Sequence, residues 1–328
     1  MQNVADFRRC TNTIKSQKGI ALLLVMWVLT ILMVIVFSFS YMARTETQST
    51  LSFKDAMEKK FIAEAGIERG IMELFYRRIY LHQSVEFEGR ETWKADGTLY
   101  SSKIGNDYYT VRIMDESGKI DINTVNDVIF KNLLINVGVH DEEVDTIVDS
   151  IMDWKDPDDL YRLHGAESDY YMSLPTPYKA KNAKFDTLEE LLLVKGMTPE
   201  ILYGTSEKRG LIDFLTVSSN RREINVNAAP KEVLMSIPGM TPDIADLLIN
   251  YRQTKEIDNV LDIEGIPEEN LDLIMAFTET EGSDTFSIEA VGYKGSEKGG
   301  YAVRATVMVD NDINYRYVYY KSPVNIKQ

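Results

Sequence analysis

Eleven aspartates and glutamates fall between Asp141 and Asp169, against only Lys155 and Arg162. Carboxylates at that density form either a solvated face or a shell of hard oxygen donors for a cation. A solvated face accounts well for Asp141, Glu142, Glu143 and Asp145. Asp153, Asp156, Asp158 and Asp159 differ, because Pro157 stands among them and should end a helix there. A loop at that point lets several carboxylates converge, and Glu167 and Asp169, just past Gly165, are placed to close the shell. The spacing is not that of an EF-hand, so the residues alone leave both readings open.

Other chemistries find less support. There is no Gly-x-Ser-x-Gly elbow, phosphate-binding loop or paired-histidine metal motif. His82, His140 and His164 are the only histidines, and Cys10 is the only cysteine. His164 beside the acidic block imitates a catalytic base, but a surface-loop histidine explains it as well. The expectation is therefore a non-enzyme with no small-molecule substrate. Ile237-Pro-Gly-Met-Thr-Pro-Asp-Ile-Ala-Asp-Leu-Leu-Ile-Asn-Tyr-Arg252 has the form of a helix-hairpin-helix motif, which in DNA binders holds phosphates. Asp243 and Asp246 open its second helix, where a phosphate would be repelled. With a net charge of −15 and a pI near 4.8, the chain favours scaffold over nucleic-acid binding.

The elements that must position these residues begin with the N-terminus. Arg8, Arg9, Lys15 and Lys18 precede Gly19, and no charge follows until Arg44. Residues 20–43, as a helix, would measure about 36 Å, longer than the ~30 Å hydrocarbon core. The basic leader keeps the N-terminus cytoplasmic and places the rest of the chain outside. No proline interrupts residues 44–78, and Phe53, Met57, Phe61 and Ala65, then Ile67, Ile71, Leu74 and Phe75, draw a drifting apolar stripe. One helix to about Tyr80 is expected, packed on a head through its later half, with the stripe at helix contacts.

Tyr108–Met114, Phe286–Val291, Tyr301–Val309 and Tyr315–Tyr320 alternate as strands. The sheet is thus expected from residues 83–122 and 283–328, with a mainly helical domain, residues 123–282, inserted between them. Inside it, Leu133–Val139, Leu192–Met197, Leu234–Met240 and Leu261–Ile266 share one plan: apolar residues, a glycine, then another apolar residue. The glycine permits a tight turn between two helices.

A basic leader ending in Lys-Gly before an apolar helix resembles the type IV pilin-like superfamily. In that superfamily prepilin peptidase cuts at the position of Gly19 and Ile20, removing residues 1–19, and the new amine is methylated. Most members carry glutamate at the fifth mature position; here it is Leu24. With that departure, the chain is similar to the minor pseudopilins of the K type (GspK) of type II secretion systems. Ala63–Ile67, Asp121–Thr124, Asp153–Asp159, Gly165–Tyr171, Leu188–Met197 and Ile224–Leu234 are similar to the same family.

The resemblance implies an α+β fold: a pilin-like long N-terminal helix on an antiparallel sheet, with an inserted helical domain of helix-hairpin-helix-like repeats. It implies a structural calcium held among Asp153, Asp156, Asp158, Asp159, Glu167 and Asp169. It also implies a subunit of the bacterial inner membrane, single-pass, with its C-terminal domain in the periplasm. That subunit would assemble at the pseudopilus tip with minor pseudopilins I and J and the major pseudopilin. A minor pilin of a type IV pilus is the alternative, and a membrane-anchored DNA binder a more distant one.

Overall fold

The computed structural model describes residues 18–80, 93–205, 207–295, 299–310 and 314–324. The expected leader up to Gln17, with Cys10, and also His82, lie outside them.

The chain forms two compact units, divided between Met57 and Glu58. Helix α1 (Lys18–Tyr80) supplies all of the described part of the first. Its apolar side chains there are exposed, Leu24 by 62% and Trp27 by 72%, and the helix is long and apolar enough to cross a membrane. Thr30 lies inside the apolar run, and its hydroxyl donates to the Trp27 carbonyl at 2.7 Å. The polar group is thereby satisfied within the helix, as a lipid environment requires.

In the second unit, α1 from Glu58 onward is followed by β1 (Asp96–Ile104) and β2 (Asp107–Asp115). The inserted part then runs β3 (Ile120–Asp121), α2 (Asp127–Asn136), α3 (Asp141–Lys155), α4 (Ser168–Met172), α5 (Pro199–Tyr203) and β4 (Leu215–Thr216). It continues through β5 (Ile224–Asn225), α6 (Lys231–Leu234), α7 (Pro242–Thr254), α8 (Glu268–Met275) and β6 (Thr278–Glu279). Strands β7 (Thr285–Tyr293), β8 (Tyr301–Val309) and β9 (Tyr315–Lys321) complete an antiparallel sheet in the order β1-β2-β7-β8-β9. The α+β class expected from the sequence is the class observed.

One sheet face, with Val111, Ile113, Ile288, Ala290, Val303, Ala305 and Val307 buried, packs on Ile62, Ala63, Ile67, Ile71 and Leu74 of α1. The buried helix face thus follows three- and four-residue spacing. The sequence stripe is corrected at its start: Phe53 and Phe61 are 68% and 61% exposed. Strict four-residue spacing drifts around the helix, so Phe61 leaves the face that meets the sheet. The other sheet face joins a small apolar cluster, Tyr108, Val291, Tyr293 and Ala302, to a polar network. There Arg304 pairs with Glu289 and, at 3.5 Å, with Asp213 of the inserted domain, while Lys119 pairs with Glu116 at 2.6 Å.

The inserted domain is built twice on one plan. In the first half Ile120 and Asp121 pair in parallel with Leu215 and Thr216; in the second Ile224 and Asn225 pair in parallel with Thr278 and Glu279. Asp121 Oδ1 accepts from Asn123 N, and Asn225 Oδ1 from Asn227 N, both at 2.9 Å. Asn123 then clamps Phe185 through its backbone N–H (2.8 Å) and carbonyl (3.1 Å). Asn227 clamps Ile257 in the same way, at 2.8 and 2.9 Å. Each half has two hairpins turning on a glycine of positive φ, Gly138 and Gly196 in one, Gly239 and Gly265 in the other. These are the four glycines of the sequence repeat.

The halves differ in one large respect. Only Lys255 and Glu256 separate α7 from the clamped Ile257, whereas residues 156–184 separate α3 from the clamped Phe185.

Asn227 also donates to the Thr280 carbonyl at 3.1 Å. Asn227→Ala should therefore cost the full chain about 2–3 kcal/mol, from three lost hydrogen bonds and the buried partners they leave. A denaturant midpoint equal to that of the parent chain would show the clamp to be dispensable.

Candidate metal centre

The acidic residues singled out from sequence lie on the segment that only the first half possesses. Helix α3 ends at Lys155, and Asp156 caps it with its N–H on the Met152 carbonyl at 3.1 Å. Pro157 prevents continuation, and the chain turns so that Asp158 accepts from Leu160 N at 2.9 Å. It returns to Glu167, which stands immediately before α4 with no capping bond from its side chain.

This path brings Asp156, Asp158 and Glu167 together. Each offers a carboxylate oxygen, and the three atoms lie within 4.8 Å of one another. Glu167 is 1% exposed. Both its carboxylate oxygens are buried without a hydrogen-bond partner, as is Asp156 Oδ1. Burial pushes the Glu167 carboxyl up to about 7, and the neighbouring charges of Asp153, Asp156, Asp159 and Asp158 push the same way. Burial also raises Asp153 and Asp156 above the usual carboxylate range.

The remaining expected ligands are placed differently. Asp153 is fully buried and braces the returning loop, accepting from Arg162 N at 3.2 Å, with the Arg162 Nε at 3.7 Å. Gly165 passes so close to it that a Cβ there would lie 1.8 Å from Asp153 Oδ2. Glycine is needed at this position by contact and not by φ. Asp159 is exposed and accepts from Asn182 Nδ2 at 3.1 Å. Asp169 is exposed in the first turn of α4, and its Oδ1 takes the Tyr170 N–H at 2.7 Å, away from the three.

Asn182 is a member that sequence reasoning missed. It holds a positive φ of 48°, donates to the Asp158 carbonyl at 3.1 Å, and keeps a buried Oδ1 without a partner. A lone asparagine between lysine, alanine and lysine gives no pattern to read; only the folded loop brings it beside Asp158 and Asp159.

The donors are all oxygen, the arrangement a hard cation takes. Oxygens up to 4.8 Å apart fit around one ion at calcium distances, since opposite ligands at about 2.4 Å are separated by about twice that. Such a donor set fits a hard cation with bond lengths like those of calcium. Asp156, Asp158 and Glu167 would hold it, with Asp153 and Asp159 adding negative charge.

A second concavity, of about 770 Å³, lies by Arg77, Arg78, Lys94, Asp115, Arg252 and Ser283. Its cations are turned onto main-chain carbonyls: Arg77 onto Trp93 at 3.1 Å, Arg252 onto Val226 and Ala229 at 2.7 Å, Lys94 onto Gln253 at 2.8 Å. They serve as braces between elements and make no anion site. At the helix-hairpin-helix segment, Lys231 is paired with Asp246, so the basic side chain nearest that hairpin is already neutralised.

Residues 112–204, which include this centre, match the family model for protein K of the type II secretion system. The chain is 26% identical over 251 residues to the type II secretion system protein K of Klebsiella pneumoniae, covering 72% of this chain and 74% of that protein. Over these stretches the chain is similar to protein K of the type II secretion system. It is 27% identical over 172 residues to the protein K of Pseudomonas aeruginosa, covering 49% of each. For three of the curated relatives the match spans between 38% and 49% of their length. The fold is that of a chain in the crystal structure of the GspK-GspI-GspJ complex from the enterotoxigenic Escherichia coli type 2 secretion system. There the TM-score is 0.57 at 12% identity, covering 85% of this chain and all of that one.

Proposed function

We propose that this chain is a minor pseudopilin of a type II secretion system, acting at the tip of the pseudopilus by assembly and not by catalysis. The similarity of residues 112–204 to the protein K model, and of longer stretches to curated K proteins, carries the reading. In it, prepilin peptidase removes residues 1–19 between Gly19 and Ile20, the new Ile20 amine is methylated, and residues 20–43 hold the subunit in the inner membrane. The packed unit from Glu58 stands in the periplasm. Its partners are minor pseudopilins I and J, both named in the complex of which one chain shares this fold, with the major pseudopilin below.

Leu24 supports the tip position. A glutamate at the fifth mature position pairs with the amine of the subunit above, and at a tip nothing stands above. Left unpaired inside the bilayer, a carboxylate would cost up to about 2.5–3.5 kcal/mol, the value on insertion scales for the middle of a span. Leucine removes that cost.

Calcium enters as a structural ion at Asp156, Asp158 and Glu167. Its charge offsets the mutual repulsion of the carboxylates, and its coordination satisfies oxygens that otherwise have no partner.

Intact-mass measurement tests the processing. From cells with an active prepilin peptidase the chain should begin at methylated Ile20, and from cells lacking it at the full leader. Co-purification tests the assembly: I and J should come down with the full chain. A chain that still carries its leader in peptidase-positive cells would end this reading.

A further inference from the structure

We propose that the crest Leu160-Tyr161-Arg162-Leu163 is a docking surface for a protein partner that offers an apolar pocket rimmed by lysine and arginine.

The crest is exposed to a degree that folding does not explain. Leu163 is 90% exposed, Leu160 76% and Tyr161 52%. Scattered apolar side chains on a surface are ordinary, but three within four residues form a patch with a use. The crest is also held rigid. The amides of residues 160, 162 and 164 are taken by Asp158 at 2.9 Å, Asp153 at 3.2 Å and Asp149 at 3.0 Å. The Arg162 guanidinium is drawn off to Asp127 at 2.7 Å. Fixing the backbone in this way presents the leucines in advance of binding, which lowers the ordering cost at an interface.

The second half of the inserted domain closes its clamp without building a crest. There the same clamp, Asn227 on Ile257, closes after two residues, whereas Asn123 on Phe185 closes only after the crest has been built. The longer segment is rooted in the core by Ala166, Tyr171 and Ala180, while Leu160, Tyr161 and Leu163 stay outside it.

Charge indicates the partner. Asp158 and Asp149 hold the backbone of the crest and Asp159 adjoins it, whereas its one cation, Arg162, is already engaged by Asp127. A protein surface with basic residues around an apolar depression complements this, both in steering and in final contact. An anionic lipid surface would instead meet these carboxylates.

A benzophenone amino acid placed at Leu163 of the full chain, in its native cells, tests the proposal. Irradiation should give one protein adduct whose cross-linked peptide contains apolar residues with lysine or arginine. Changing those basic residues to glutamate should remove the adduct. The same probe at Leu261, also exposed (54%), should not give it. Leu160→Ser with Leu163→Ser should cut adduct formation from Tyr161 at least about tenfold, as loss of two interface anchors does. Because these side chains are exposed, the melting temperature should stay that of the parent chain. No adduct, an adduct with lipid, or a cross-linked peptide of acidic character would overturn the proposal.

Discussion

At pH 8 in the presence of chelator, Glu167→Gln should melt at a higher temperature than the parent chain; in excess calcium the order should reverse. The two signs have one source. Without a cation, Glu167 is a buried carboxylate with both oxygens unpartnered and several carboxylates nearby, so its charge destabilises the fold. Its folded value, about 7, lies above the ordinary 4.5. Between those values the folded state binds more protons than the unfolded state, so stability falls as pH rises through that window. Above about 7 the whole penalty is present. Glutamine removes the charge, and with it this pH dependence.

Calcium acts on the same group in the opposite direction. Bound to the folded chain alone, it would add about 2.7 kcal/mol at a hundredfold excess over its Kd. Glutamine loses most of that gain, because one of three converging carboxylates is gone. Protons compete for Glu167, so the calcium-induced rise in melting temperature should shrink as pH is lowered from 8 to 5. Thermal melts of the full chain in detergent, with calcium or with chelator, decide it. Equal melting temperatures in both buffers for the parent chain would remove calcium from the site.

Gly292→Val should release α1 from the sheet. Gly292 lies in β7, between Tyr109 of β2 and Tyr301 of β8. A Cβ at this position would fall 2.2 Å from the Lys59 carbonyl oxygen and 2.6 Å from Ala63 N. Both are helix backbone atoms, so no rotamer change relieves the clash; the helix itself must move away. Overpacking of a core costs about 1–3 kcal/mol, and more where backbone must shift. Here the shift opens the packing of Ile62, Ala63 and Ile67 against the sheet. Limited proteolysis of the full chain should then cut within Glu58–Tyr80, where the parent chain resists. A resistant variant with an unchanged denaturation midpoint would show that the helix tolerates the added side chain.

How far the sequence could be read depended on whether one residue type answered one physical need. The hairpin glycines were legible because a turn of positive φ admits few alternatives. Asp156 and Asp158 were legible because Pro157 ends a helix wherever it stands. Asp169 was not: its outward direction follows from the first turn of α4, a helix of five residues with no periodic signal. The parallel pairs β3–β4 and β5–β6 were invisible, since each strand is two residues long and its partner lies far along the chain. For the same reason the hairpins were seen as loose repeats, while the duplication that joins them in pairs was not. On α1, a four-residue stripe stood in for a face that turns with the helix, and Phe61 was misplaced by it.

The neck of the inserted domain has a mechanical consequence. Asp115, at the end of β2, receives both the backbone N–H and the hydroxyl of Ser283, just before β7, and its register partner in β7 is Phe286. The way in and the way out are thus stitched to each other across neighbouring strands. Tension applied along α1 passes through β2 and β7 side by side and bypasses everything between residues 116 and 282. That lobe hangs from a closed ring. An insertion within it would leave the strand pairs beneath it aligned.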